Sequence, residues 1–134
     1  DNAKILSAAL GKTELTFTGH SLGGGEAALN GLLTDRKAIT FNAAGVGVAT
    51  KFAEGTWITP FKSEGKIDAY ILRSDPLNGM QNNSTTGLGL LMPDVNGNRN
   101  FLAPKDASSI YNGHSMDNVL KNFGVKKPEQ YSNR

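Results

Sequence analysis

Apolar residues in this chain fall into short alternating or helix-spaced runs, punctuated by glycines, prolines and polar turns. Ala3, Ile5, Leu6, Ala9 and Leu10 share one face at helical spacing, and Gly11 stands where a helix would stop. The pattern predicts an amphipathic helix of about two turns. Leu15 and Phe17 then alternate with Thr16 and Thr18, which predicts a strand over 14–18. Helical spacing returns with Ala28, Leu29, Leu32 and Leu33, a stripe that predicts a buried helix face ending near Thr34 and Asp35. The small Gly24, Gly25 and Ala27 suit close approach to a sheet. A second strand is predicted over 37–42, parallel to the first and closed by the small residues 43–47. A third covers 67–73 and ends in Ser74-Asp75-Pro76. Strand, crossover helix and strand make a βαβ unit, which places the chain in the α/β class with a mostly parallel sheet flanked by helices.

The remaining segments are less regular. Residues 46–65 carry Phe52, Trp57, Ile58 and Phe61 together with Gly55 and Pro60. From 78 to 112 the chain reads as loop, with polar turns at 82–87 and 94–98 and a short edge strand at 88–92. Asp94, Asn96 and Asn98 start like a calcium loop, but an EF-hand needs Gly where Arg99 stands and Glu where Lys105 stands, so turn chemistry explains them. Met116, Val119, Leu120 and Phe123 predict a last helix, stopped by Gly124, with His114 in the loop before it.

The candidate chemistry lies where the first strand meets the second helix. Gly19-His20-Ser21-Leu22-Gly23 is the G-x-S-x-G pattern of a nucleophile elbow, a sharp strand-to-helix turn that lifts a serine hydroxyl above a sheet. Gly19 and Gly23 are expected to remove collisions at this close crossing. The following helix would aim its positive end at whatever Ser21 attacks, with the N–H of Leu22 as an oxyanion donor. Asp75 follows the third strand, where functional groups of parallel sheets collect. It reads either as an acid that orients a histidine or as the first residue of an Asp-Pro turn. His20 belongs to the elbow, with its side chain expected to turn away from Ser21. His114 is therefore the available general base, or else a structural histidine near a helix start.

With those residues in view, Leu15 to Gly24, and the run Gly-His-Ser-Leu-Gly-Gly in particular, resembles the active-serine signature of class 3 lipases, a branch of the α/β-hydrolases that includes bacterial phospholipase-like members. The chain order Ser21, Asp75, His114 is the Ser, Asp, His order of those hydrolases. The resemblance implies nucleophile, acid and base at these three positions, an acyl-enzyme on Ser21, and a lipid or other ester as substrate, with no cofactor and no metal. A carboxylesterase or thioesterase would use the same residues. On this reading the aromatics of 46–65 form a lid or an acyl-chain wall, or else pack a helix on the sheet.

The family normally takes a second oxyanion N–H from a loop after an earlier strand, and here only one helix precedes the serine's strand. The resemblance thus implies one domain over 1–134 that is the carboxyl-terminal half of the full fold, with an exposed edge beside the elbow strand. A longer parent chain or a partner chain would complete it; otherwise the piece is an inactive pseudo-hydrolase that serves as a binding module.

Composition adds exclusions. The chain has 134 residues, a net charge of +2 and scattered Lys and Arg, which argues against nucleic acid as a partner. No apolar run is long enough to span a bilayer. Zero cysteines exclude disulfides and thiolate metal sites and leave the compartment undecided, secretion from a bacterium included.

Overall fold

The computed structural model describes residues 2–46, 64–81 and 96–126. In chain order the elements are α1 (Asn2–Leu10), β1 (Thr16–His20), α2 (Ser21–Thr34), β2 (Lys37–Phe41), a 3-10 turn (Glu64–Lys66) and β3 (Ile67–Leu72). They are followed by α3 (Pro76–Gln81), β4 (Asn98–Leu102), α4 (Ala107–Tyr111) and α5 (Met116–Asn122). The four strands form one sheet in the order β1-β2-β3-β4, and each neighbouring pair is parallel. Thr16 sits opposite Lys37, Ala38 opposite Ile67 and Asp68 opposite Asn98. The α/β expectation holds, and β1 is the outermost strand on its side of the described sheet.

Parallel sheets are stable when both faces are covered. On one face α2 lays Ala28 and Leu32 over Ala38 and Ile67, with Val46 joining the cluster and Phe17 and Leu29 at its margin. On the other, Phe41 and Tyr70 stack at 5.7 Å, and Phe123, just past α5, meets both rings edge-on. Val119 of α5 is fully buried.

The helix α2 forms against its own propensities. Each glycine costs about 1 kcal/mol relative to Ala in a helix interior, yet Gly23, Gly24 and Gly25 lie in its first turns. The segment just past β2 explains two of them. A Cβ on Gly24 would stand 2.7 Å from the Ala43 Cβ, and one on Gly25 would stand 2.7 Å from the Ala44 carbonyl oxygen. Packing distance therefore outweighs propensity. The helix stops at Asp35, which takes a left-handed conformation.

Two sequence expectations, the bounds of β1 and the loop at 78–112, need correction, and α1 adds a finding of its own. The helix α1 forms, but of its apolar residues only Ala3 is buried, while Ile5 is 68% and Leu6 47% exposed. Strand β1 begins at Thr16 and runs through His20, two residues later than the alternation suggests. The stretch 78–112, read as loop, contains β4 and α4. β4 (Asn98–Leu102) is polar and exposed at most positions, so it carries no apolar alternation to detect. The expected lid at 46–65, with Phe52, Trp57, Ile58 and Phe61, and the expected strand at 88–92 lie outside the described residues, apart from Val46 and the 3-10 turn.

Candidate active site

Ser21 begins α2 directly after β1 and has φ of +55°, a conformation that costs a non-glycine residue on the order of 1–2 kcal/mol. Close packing holds it there. A Cβ on Gly19 would lie 2.1 Å from the Gly23 carbonyl oxygen, so strand and helix can cross only if position 19 has no side chain. The expectation for Gly23 itself is corrected, because a Cβ there would meet nothing within 4 Å. Gly23→Ala is therefore expected to raise stability by up to ~1 kcal/mol. Gly19→Ala is expected to disrupt the elbow and lower the melting temperature. Thermal melts of the two variants check both outcomes.

The fold brings Ser21, Asp75 and His114 together. His114 Nε2 lies 2.8 Å from Ser21 Oγ, and His114 Nδ1 lies 2.9 Å from Asp75 Oδ1. A carboxylate oxygen only accepts, so Nδ1 carries the ring proton and donates it to Asp75, which leaves Nε2 to accept from the Ser21 hydroxyl. The Asp75 side chain is 1% exposed and that of His114 32%, so the acid is shielded while the ring borders solvent.

Asp75 Oδ1 takes part in two hydrogen bonds. Its Oδ1 accepts from the Leu77 N–H at 3.0 Å as α3 begins, an Asx turn, and the same oxygen receives His114 Nδ1–H. Its Oδ2 is buried without a hydrogen-bond partner among the described residues.

His114 arrives on the turn between α4 and α5, and four features in and around that turn help to set its place. A Cβ on Gly113 would fall 2.3 Å from the Ser74 carbonyl carbon and 2.6 Å from the Asp75 nitrogen, so only glycine lets the turn reach the acid. Ser74 Oγ donates to the Ser109 carbonyl. Asn118, 2% exposed, donates through Nδ2 to the Asn112 and Ser108 carbonyls at 2.8 and 3.2 Å. Ser115 caps α5.

Asp106 caps α4, accepting from the Ser109 N–H and hydroxyl, and Lys121 of α5 donates to it at 2.9 Å. These bonds, that of Lys121 foremost, hold its carboxyl down at about 2 from an ordinary 3.8. A folded value below the unfolded one means that this stabilisation is complete above pH ~4 and is lost as pH falls toward ~2. Urea unfolding between those limits is expected to show the advantage of wild type over Asp106→Asn shrinking with acidity, and salt should weaken the lysine's share.

Leu22, 70% exposed, lies in the first turn of α2, where helix N–H groups have no intrahelical acceptor. Beside it opens a groove of about 160 Å³, lined by Leu22, Leu29, Ala44 and Val46 with Glu26 at its margin. The His20 ring packs 5.1 Å from that of His114, centroid to centroid, and its Nε2 donates to the His114 carbonyl at 2.7 Å. Sequence reasoning did not single out Asn42, which donates to the Gly113 carbonyl beside His114; its signal, an Asn closing a β-prone run, is shared by many strand ends. No group of three or more candidate metal-ligating side chains occurs among the described residues.

The parallel α/β sheet thus carries a serine on a strained strand-to-helix bend, hydrogen-bonded to a His–Asp pair. The sequence model described as a Tle-like phospholipase domain, in the phospholipase-like group, matches residues 2–129, and the chain belongs to that family. It is also similar to the extracellular phospholipase A1 of Serratia liquefaciens, 32% identical over 142 aligned positions that cover 94% of this chain and 43% of that protein. The chain thus spans less than half the length of the curated relative it matches.

Proposed function

We propose that this chain carries the reacting residues of a hydrolase that cleaves carboxylic esters of phospholipids through an acyl-enzyme on Ser21. The observation that carries the reading is the hydrogen-bonded relay from Ser21 Oγ through the His114 ring to Asp75 Oδ1, at 2.8 and 2.9 Å. Membership of a phospholipase-like family supports a lipid ester as substrate, and the apolar groove beside Leu22 suits an acyl chain. The Serratia relative is named an extracellular enzyme, which supports action outside the producing cell.

In this mechanism Ser21 Oγ attacks the acyl carbonyl as its proton passes to His114 Nε2. Asp75 holds the ring in the productive tautomer and steadies the imidazolium. The oxyanion faces the Leu22 N–H and the positive end of α2. Collapse of the tetrahedral species breaks the ester bond, and the alcohol leaves with the proton from Nε2. Water, deprotonated by the same nitrogen, then attacks the Ser21 ester, releasing the fatty acid and restoring the hydroxyl.

The test is covalent labelling with a fluorophosphonate, followed by peptide mass mapping, alongside fatty-acid release from phosphatidylcholine vesicles. Label on Ser21 and vesicle hydrolysis that Ser21→Ala abolishes are expected. Label on other residues, or hydrolysis that survives the substitution, overturns the proposal.

A further inference from the structure

The His114 ring has to meet groups 93 and 39 residues away in sequence while standing on a turn. Its two ring contacts do not by themselves fix the backbone beneath it. Two side chains outside the relay hold successive carbonyls of that backbone. Asn42 Nδ2 donates to the Gly113 carbonyl at 2.8 Å, and His20 Nε2 donates to the His114 carbonyl at 2.7 Å.

Both donors are tied to the other parts of the site. His20 is the residue before Ser21, at the end of β1. Asn42 follows β2, is 1% exposed, and has φ of +43°, which Asn tolerates better than most residues. Its Oδ1 accepts from the Leu72 N–H at 2.8 Å, shortly before Asp75, and its own N–H donates to the Tyr70 carbonyl at 2.9 Å. Two residues on, the Ala44 N–H donates to the Ser21 carbonyl at 2.9 Å. One buried amide thus joins the strand end that carries the acid to the turn that carries the base, and one imidazole joins that turn to the serine's strand.

We propose that Asn42 and His20 are positioning residues for the reaction of Ser21, acting together as a two-point clip that sets the height and tilt of the His114 ring. The inference rests on the hydrolase reading above. Because the ring must be held to within a fraction of an ångström, a released clip should lower turnover while leaving substrate binding nearly intact.

The experiment compares Asn42→Asp, His20→Phe and His20→Gln in the full-length protein, with circular dichroism to establish folding. Asn42→Asp keeps the size, the tolerance of positive φ and the acceptor for Leu72, but sets a second acceptor against the Gly113 carbonyl. His20→Phe keeps the ring and deletes the donor, and His20→Gln returns an N–H at similar reach. For the first two, kcat on p-nitrophenyl butyrate is expected to fall roughly 10- to 100-fold with KM within about threefold. Fluorophosphonate labelling of Ser21 should slow in parallel, and the downfield proton resonance of His114 Nδ1–H should shift or broaden. His20→Gln is expected to recover to within about threefold of wild type. Should Asn42→Asp fail to fold, the His20 pair decides. Folded variants with wild-type kcat, labelling rate and resonance would overturn the clip. Failure of the hydrolase reading appears separately, as hydrolysis that survives Ser21→Ala whatever the clip variants do.

Discussion

Replacing Ser21 by Ala is expected to lower kcat for ester hydrolysis by ~10⁴-fold or more, with little change in the melting temperature. The magnitude follows from what is removed. Without Oγ there is no acyl-enzyme, and the residual rate comes only from oxyanion stabilisation and binding acting on water. Stability should change little, because Oγ's contact is to a ring that borders solvent, and the residue's φ of +55° disfavours Ala and Ser alike. His114→Ala should cost about as much, and the double variant scarcely more than either, because the two side chains act as one unit. Additive losses would mean that serine and histidine work independently and that the relay geometry has no catalytic meaning. Steady-state kinetics of the three variants settle the point.

Asp75→Asn is expected to lower kcat by ~10³–10⁴-fold while leaving KM nearly unchanged. The substitution keeps the shape and removes the charge that steadies the imidazolium. It also creates a conflict of donors. With the amide oxygen at the Oδ1 position, the contacts to Leu77 and His114 survive, but the NH₂ puts a donor at the buried Oδ2 position, where the carboxylate oxygen has no hydrogen-bond partner among the described residues. With the amide reversed, the NH₂ confronts the Leu77 N–H and donates to Nδ1, driving the ring proton to Nε2, where it cannot accept from Ser21. Either arrangement impairs the base, and the first also leaves a buried donor unmet at a cost of about 1–3 kcal/mol. The variant should therefore melt lower than wild type and label slowly with fluorophosphonate. Wild-type turnover in folded Asp75→Asn would remove Asp75 from the mechanism.

Read from the chain alone, the elbow was the most legible feature, because everything it needs is local: β-prone residues, a glycine on either side of the serine, then a helix. Even so, Gly19 and Gly23, alike in the motif, differ in the fold, since only Gly19 faces a backbone that leaves no room for a Cβ. Asp75 and His114 were legible as positions, at a strand end and before a helix start. Their partnership was implied only by the family resemblance and the chain order, because the contact itself depends on Gly113 passing against the Ser74–Asp75 backbone. The α1 periodicity predicts the helix that forms, and its apolar face is largely exposed in the fold. Burial is decided by what lies opposite, and periodicity reports only that a face exists.

The amino-acid order by itself determined the α/β class, the parallel strands β1 to β3, the crossover α2 and the bend that carries Ser21, because hydrophobic period, glycine placement and helix stops act over a few residues. Tertiary structure alone decided the strand order, the polar strand β4, the distance at which His114 meets Ser21 across 93 residues, and the hydrogen bonds of Asn42 and His20 to the His114 turn. The physical reason is range. Backbone propensity acts within a turn or a strand, whereas a hydrogen bond between distant side chains exists only after packing has fixed both ends to within a few tenths of an ångström.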